Sequence, residues 1–284
     1  DDLEEAGFQD QARSLTDRCI ADARAAARRA PNDADAHWAL AAALKQRHRP
    51  SEAIPEYRAA VRLDPNDADL HHEFAEALYD QGLSTQAIAE YQAALRLDPK
   101  NSEWHYDLGW ELKHSGQMAP AEREMRLAVR LDPANPDAHY GLGEVLAMTH
   151  RELPAIAEYQ ITARTAPNPF DADRRLLDLE DKNGRYDAAI AAGLRVLAAF
   201  PSDGNTMDNI ADCYLNKKQW QTSLSWSERA LRVNPNDPVA HENLGEAYIG
   251  EGKKAEARVE WQQVLTLDHG QIAQAARDHL AKYP

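Results

Sequence analysis

Proline recurs at residues 31, 65, 99, 133, 167, 201 and 235, always 34 residues apart, and His269 holds the next slot. A chain punctuated so regularly is an array of equal units, because Pro lacks an amide N–H and stops the helix before it. Seven full units run without insertion or deletion. Most breaks read alike: Leu63-Asp64-Pro65-Asn66-Asp67, Leu97-Asp98-Pro99-Lys100-Asn101 and Val233-Asn234-Pro235-Asn236-Asp237 each end one helix and offer a side chain to cap the next. Inside a unit a Gly such as Gly82, Gly116, Gly184 or Gly252 supplies the positive φ that closes a first helix before a second begins. Two helices of roughly 12 residues cannot bury an apolar face alone, so neighbouring units must stack.

Composition fits such stacking. The chain has 51 Ala and only 4 Phe in 284 residues, thin material for one large core but suited to helices in close approach. Ala53, Ala87, Ala121, Ala155, Ala189 and Ala257 share one register, and Ala60, Ala94, Ala128 and Ala230 another. Tyr57, Tyr91, Tyr159 and Trp261 fill the gap between them. Cys19 and Ala26 continue the two Ala registers backwards, so residues 12–30 read as the second helix of an incomplete unit, with both Cys19 and Cys213 as small core residues. Residues 271–283 read as a capping helix with Gln271, Gln274, Arg277 and Asp278 facing water. Pro55 predicts a kink in the second helix of unit one.

The pattern resembles the tetratricopeptide repeat (TPR) family, whose signature is a 34-residue helix-turn-helix with a large residue, Leu-Gly, Tyr, Ala, an aromatic, Ala and Pro at fixed offsets. Residues 241–257, from His241 through Leu244-Gly245, Tyr248, Gly252 and Ala257, follow it almost throughout. The resemblance implies an all-α, right-handed superhelical solenoid. On that reading residues 1–30 are a lead-in with a partial repeat, 31–268 hold seven TPR repeats starting near 34, 68, 102, 136, 170, 204 and 238, and 269–284 form the C-terminal cap.

Catalytic chemistry finds little support. There is no Gly-rich phosphate loop, no His-Glu-x-x-His, no Gly-x-Ser-x-Gly and no Cys-x-x-Cys. His37, His71, His105, His139 and His241 share the fourth position of the first helix. Packed helices lie roughly 8–10 Å apart, too far for equivalent positions to share a metal ion, so these His residues read as packing groups at the seam between repeats. The expectation is a non-enzyme with no metal and no cofactor.

The net charge of −15, without a clustered basic stretch, excludes a strong nucleic-acid binder. No apolar run approaches the roughly 18–20 residues of a membrane span, and residues 1–30 carry no signal-peptide h-region. The chain opens at Asp1 rather than Met, so an upstream piece is expected; the compartment is cytoplasmic, or periplasmic if a signal was removed. The Arg excess and Ala load suggest a GC-rich bacterial genome.

Family resemblance also implies that first-helix residues at offsets 2, 5, 6, 9, 12 and 13 line a concave groove. Sixteen acids and five bases occupy those offsets, among them Glu76, Glu144, Asp178, Asp212 and Glu246, so the acidity concentrates there and favours cationic partners. Trp38, His72, Tyr106 and Tyr140 form an aromatic stripe at the fifth position, joined by Tyr79 and Trp110. Trp110 stands out, because other units place small or acidic residues at its offset. Asn209 and Asn243 supply amides that can hold peptide backbone, and Arg174 interrupts the acidic run beside Arg175, with Asp171 and Asp178 placed to neutralise both. The Lys and Asn set with which some TPR domains clamp an acidic C-terminal tail is missing: Trp38, Ala42, Glu73, Glu103 and Asp107 hold its slots.

These features predict a protein-interaction scaffold holding an extended basic or apolar peptide. Alternatives are self-association, with residues 1–30 and their Arg24, Arg28 and Arg29 entering the groove of a second copy; a carbohydrate or small molecule on the same Trp, Tyr and acid face; or the TPR portion of a larger enzyme. Unit five, with Asp173, Leu177, Glu180 and Gly193 at consensus positions, predicts a loosely packed second helix over 188–200.

Overall fold

The computed structural model describes residues 18–284, so the part of the lead-in over 1–17 lies outside the described residues. All secondary structure among them is helical. Two compact units divide the chain, one ending at Val145 and one beginning at Leu146.

In the first unit, α1 (residues 18–29) precedes three helix pairs: α2 (Ala34–Gln46) with α3 (Pro50–Leu63), α4 (Ala68–Asp80) with α5 (Ser84–Leu97), and α6 (Ser102–His114) with α7 (Met118–Leu131). α8 (Pro136–Met148) follows. Partners within a pair pack on each other, and α3 on α4 and α5 on α6 link the pairs. In the second unit, α9 (Glu152–Thr165) packs on α10 (Phe170–Lys182). The series continues through α11 (Tyr186–Ala199), α12 (Gly204–Asn216), α13 (Trp220–Val233), α14 (Pro238–Gly250) and α15 (Lys254–Leu267) to α16 (Gln271–Lys282). Each unit is thus an all-α helical-repeat solenoid.

The breaks work as their chemistry requires. Asp67 Oδ1 accepts from the Leu70 N–H at 3.2 Å, Asn101 Oδ1 from Glu103 and Trp104, and Asp237 Oδ1 from Val239 at 3.0 Å, satisfying amides that have no partner within their own helix. Turns within pairs place Gly82, Gly116, Gly184 and Gly252 at φ between +68° and +80°. The pairs without Gly keep the same geometry on His48, His150 and Lys218, at φ +52° to +58°. Their residue types give no sign of a left-handed conformation, but positions 48, 150 and 218 continue the 34-residue register of the four Gly.

Both Ala registers are buried, with Ala53, Ala60, Ala87, Ala94, Ala121 and Ala128 at zero exposure, and Tyr57, Tyr159 and Trp261 are fully enclosed between them. Each such ring contributes about 1.5–3 kcal/mol by leaving water. Room for Trp261 comes from Gly245, where an added Cβ would stand 2.3 Å from the indole nitrogen. That contact explains the Leu-Gly pair physically.

Three expectations need correction. Cys19 is exposed, while Cys213 is buried; the α1 face is filled instead by Ile20 and Ala27, one residue further along, where the larger aliphatic Ile20 supplies the buried area. The helix of unit five is not loose: α11 begins at Tyr186 and buries Ala189, Ile190, Ala192, Gly193, Val196 and Leu197. A Cβ on Gly193 would meet Ile210 at 2.9 Å, so small size is exchanged for close approach. Pro55, where a kink is expected, lies inside α3, which runs unbroken over Pro50–Leu63. Finally, the His series does more than pack at the seam, because each ring makes polar contacts both within its helix pair and to the break between repeats. Nδ1 of His37, His71 and His241 stands 2.6 Å from Glu56, Glu90 and Glu260, and His105 is 2.8 Å from Glu124. Nε2 of each faces the carbonyl oxygen of the Pro six residues back.

Candidate functional site

The side chains singled out on the first helices fall into two groups, one in each unit. In the first, Trp38 is partly exposed and donates from Nε1 to Glu73 Oε2 at 2.8 Å, which also accepts from the Tyr57 hydroxyl at 3.1 Å. His72 is largely committed to the fold: its ring stacks on Trp104 with centroids 5.1 Å apart, and Nε2 lies 2.8 Å from Asp107 Oδ2. Tyr106 packs into the next repeat, close enough that a Cβ on Gly141 would meet its ring at 3.2 Å. Its hydroxyl is held in the neutral form by burial and by the charge of Asp137. Tyr140 is half-buried on α8, and Glu144 lies 3.8 Å from Lys113 Nζ.

Trp110 is half-buried and forms one wall of a cleft of about 200 Å³ together with Lys45, Glu76, Tyr79, Asp80, Tyr91 and Asp107. Lys45 is paired with Glu76 at 2.6 Å, so Asp80 and Asp107 set the sign of the cleft. Tyr79 leaves 41% of its surface exposed. The Trp110 ring already carries a cation on one face, with Lys113 Nζ 3.6 Å from its centroid, and Tyr106 and His114 brace it at 5.8 and 5.0 Å. Aromatic walls with net negative charge are what a Lys or Arg side chain needs, since both ring faces and carboxylates attract cations. A second cleft, lined among others by Asp35, Trp38, Asp69 and Glu73, repeats the combination on α2 and α4.

In the second unit Arg174 is held by Asp203 at 3.0 Å and Asp171 at 3.6 Å, and it lies over the Phe200 ring. Asp178 takes the amide of Asn209 at 3.1 Å instead. Burial, and after it the neighbouring Asp181, push Asp212 up to about 6 against the weaker pull of Asn216, with Glu246 adding to the rise. Asp208 is raised to about 7 by burial and by Asp237. Asn243 is buried, and its amide donates to the Asp208 backbone carbonyl at 3.2 Å.

Two arrangements escaped sequence reasoning. Asp173, at the His position of unit five, is fully buried, and Arg195 Nε spans its two oxygens at 2.9 and 3.1 Å. A signal existed: Glu follows 19 residues after every His of the series, at 56, 90, 124, 158 and 260, whereas units five and six, with Asp173 and Met207, have Ala192 and Trp226 there. The other is a cleft of about 440 Å³ lined by Gln160, Leu176, Glu180, Ala188, Ala192 and Arg195 among others. Although larger than the one at Trp110, it is a space left by small residues, and its polar groups are engaged: Arg195 with Asp173, and Glu180 with Gln160 at 3.0 Å.

Comparison with known proteins adds the family. One family model described as tetratricopeptide repeat matches residues 44–108, and a second with the same description matches 12–68, 154–204 and 214–272. No curated protein matches the chain. Among solved structures, a tetratricopeptide repeat protein from Parabacteroides merdae is 15% identical with a TM-score of 0.58, over 87% of this chain and 97% of that one. PilF of Pseudomonas aeruginosa is 24% identical with a TM-score of 0.57, over 69% and 90%. MamA of Desulfovibrio magneticus is 20% identical with a TM-score of 0.54, over 58% and 94%. Such arrays generally mediate protein–protein interaction and are generally non-catalytic. No helix among the described residues is long and apolar enough to cross a membrane. With a family model matching more than half of its length, and helix pairs of the family's geometry in both units, the chain belongs to the tetratricopeptide repeat family.

Proposed function

We propose that this scaffold holds an extended basic or apolar protein segment against its acidic, aromatic first-helix residues, with one Lys or Arg of that segment seated beside Trp110. The supporting observation is the cleft in which Trp110 and Tyr79 stand next to Asp80 and Asp107. Electrostatics of this sign steer a cationic segment to the surface, while the aromatic groups supply the desolvated contact in which binding energy concentrates. Trp38 and Glu73 extend the same chemistry along the first unit, and Glu144, Asp178, Asn209, Asp212, Asn243 and Glu246 are the further positions assigned to the partner surface.

The test is fluorescence anisotropy of labelled Lys- and Arg-containing peptides against the full chain. Trp110→Ala weakens binding at least about tenfold, the scale of a hot-spot side chain, with the melting curve unchanged. Added salt weakens binding further as screening shortens the reach of the carboxylates. Affinity for acidic peptides equal to that for basic ones, or a Trp110→Ala variant that binds as tightly as the parent, sinks the reading. Carbohydrate binding in its absence favours the sugar alternative.

A further inference from the structure

A cluster at the last helix pair joins side chains that sequence spacing does not link. Glu242 and Glu246 are four residues apart on α14, so they leave the helix on one face, a turn apart. The terminal helix α16 packs on both α14 and α15 and brings His279 to them. Its Nε2 stands 3.2 Å from Glu242 Oε1 and 3.4 Å from Glu246 Oε1, and one ligand atom from each of the three residues lies within 4.8 Å of the others. Separations near 3.3 Å are the edge of a tetrahedron whose bonds are about 2.0–2.1 Å, the length of Zn–N(His) and Zn–O(carboxylate) bonds.

A plain histidine–carboxylate ion pair accounts for less of the geometry. Both Glu242 oxygens are buried from solvent, yet neither accepts a hydrogen bond, so the imidazole nitrogen is close to the carboxylate without being directed at it. An ionised group in that position is costly unless a cation completes it. The imidazole is also fixed in advance: its ring lies flat on the buried Trp261, with centroids 4.7 Å apart and planes 11° from parallel. Such orientation of a ligating ring by its surroundings is what metal sites require.

We infer that Glu242, Glu246 and His279 bind a divalent transition-metal ion of the zinc class, which ties the terminal helix α16 to α14. Two carboxylates and one imidazole supply three ligands and leave a fourth position open, and a nitrogen–oxygen set of this kind suits Zn2+. The inference is independent of the peptide reading, since only Glu246 belongs to both and no peptide enters its test.

The experiment uses the full chain stripped with a chelator. Calorimetric titration with Zn2+ gives one equivalent bound, Co2+ in its place gives the intense visible bands of a tetrahedral site, and Zn2+ raises the melting temperature, because the ion binds the folded chain alone. His279→Ala and Glu242→Gln each weaken the one-equivalent event at least about tenfold, whereas His114→Ala leaves it intact. Glu242→Gln also guards against a folding artefact: it removes a buried charge, so the metal-free variant melts no lower than the parent while still losing Zn2+. No binding by the parent, or an isotherm unchanged in His279→Ala and Glu242→Gln, overturns the inference.

Discussion

Gly245 shows how one residue of the repeat signature acts through space rather than through local conformation. It lies inside α14, and only a hydrogen in place of a side chain lets the Trp261 ring seat against the helix. Gly245→Ala therefore forces the ring or the helix to move and lowers unfolding free energy by about 1–3 kcal/mol, the cost of overpacking, measured by urea denaturation. The His–Glu pairs work at the same scale. His105 faces the Glu124 carboxylate through Nδ1 and the Pro99 carbonyl through Nε2. Both partners are acceptors, so the doubly protonated ring is the form that satisfies both. Its proton affinity is accordingly raised, chiefly by the Glu124 hydrogen bond, against the opposing effect of burial. At the Asp173 position the polarity is inverted, with the carboxylate on the first helix and the cation, Arg195, on the second.

At the scale of the element, seven turns between successive helices of the described residues are of two kinds. Four use Gly at positive φ, and three place His48, His150 or Lys218 there, where a side chain costs about 1–2 kcal/mol. Lys218→Gly relieves that strain at the expense of a more flexible unfolded chain. A net gain of about 0.5–1 kcal/mol is expected in thermal or chemical melts, and Gly252→Ala should lose a similar amount. An unchanged midpoint in Lys218→Gly would mean that the Lys218 side chain repays its backbone strain by contacts of its own, of which its neighbour Lys217 gives a precedent by pairing with Asp187.

For the molecule as a whole, stability depends on pH in one direction over the neutral range. His105 has a folded value above its ordinary 6.5, so its contribution is full below 6.5 and is lost as pH rises through the raised value. Asp208 and Asp212, raised by burial to about 7 and about 6 from 3.8, cost stability from pH 3.8 upward, where the unfolded carboxyls ionise and the folded ones do not, until the folded groups ionise in turn. In each case the folded chain binds more protons than the unfolded one, so stability falls as pH rises. Between about pH 5 and pH 8 the unfolding free energy drops by at least about 1.4 kcal/mol, the equivalent of one pKa unit, seen in denaturant melts across a pH series. Asp208→Asn, which removes a buried carboxylate whose Oδ1 has no partner, should flatten the slope by stabilising the protein more at pH 8 than at pH 5.

Sequence by itself determined the all-α repeat fold, because the devices that set it are local. Pro and its capping neighbours stop and start helices within five residues, and the Ala and aromatic registers repeat with the same period, so the packing face can be counted along the chain. The acidic, aromatic character of the first helices was legible for the same reason. What only the tertiary structure decided is which of those groups meet. His72 turned out to stack on Trp104, Asn243 to donate to the Asp208 carbonyl, and His279 to reach two carboxylates on α14. These contacts join residues 32 to 37 positions apart, or bring a terminal helix onto an earlier one. They depend on how closely neighbouring helices approach and on which small residue yields the space, and that is a property of the packed array rather than of any one repeat.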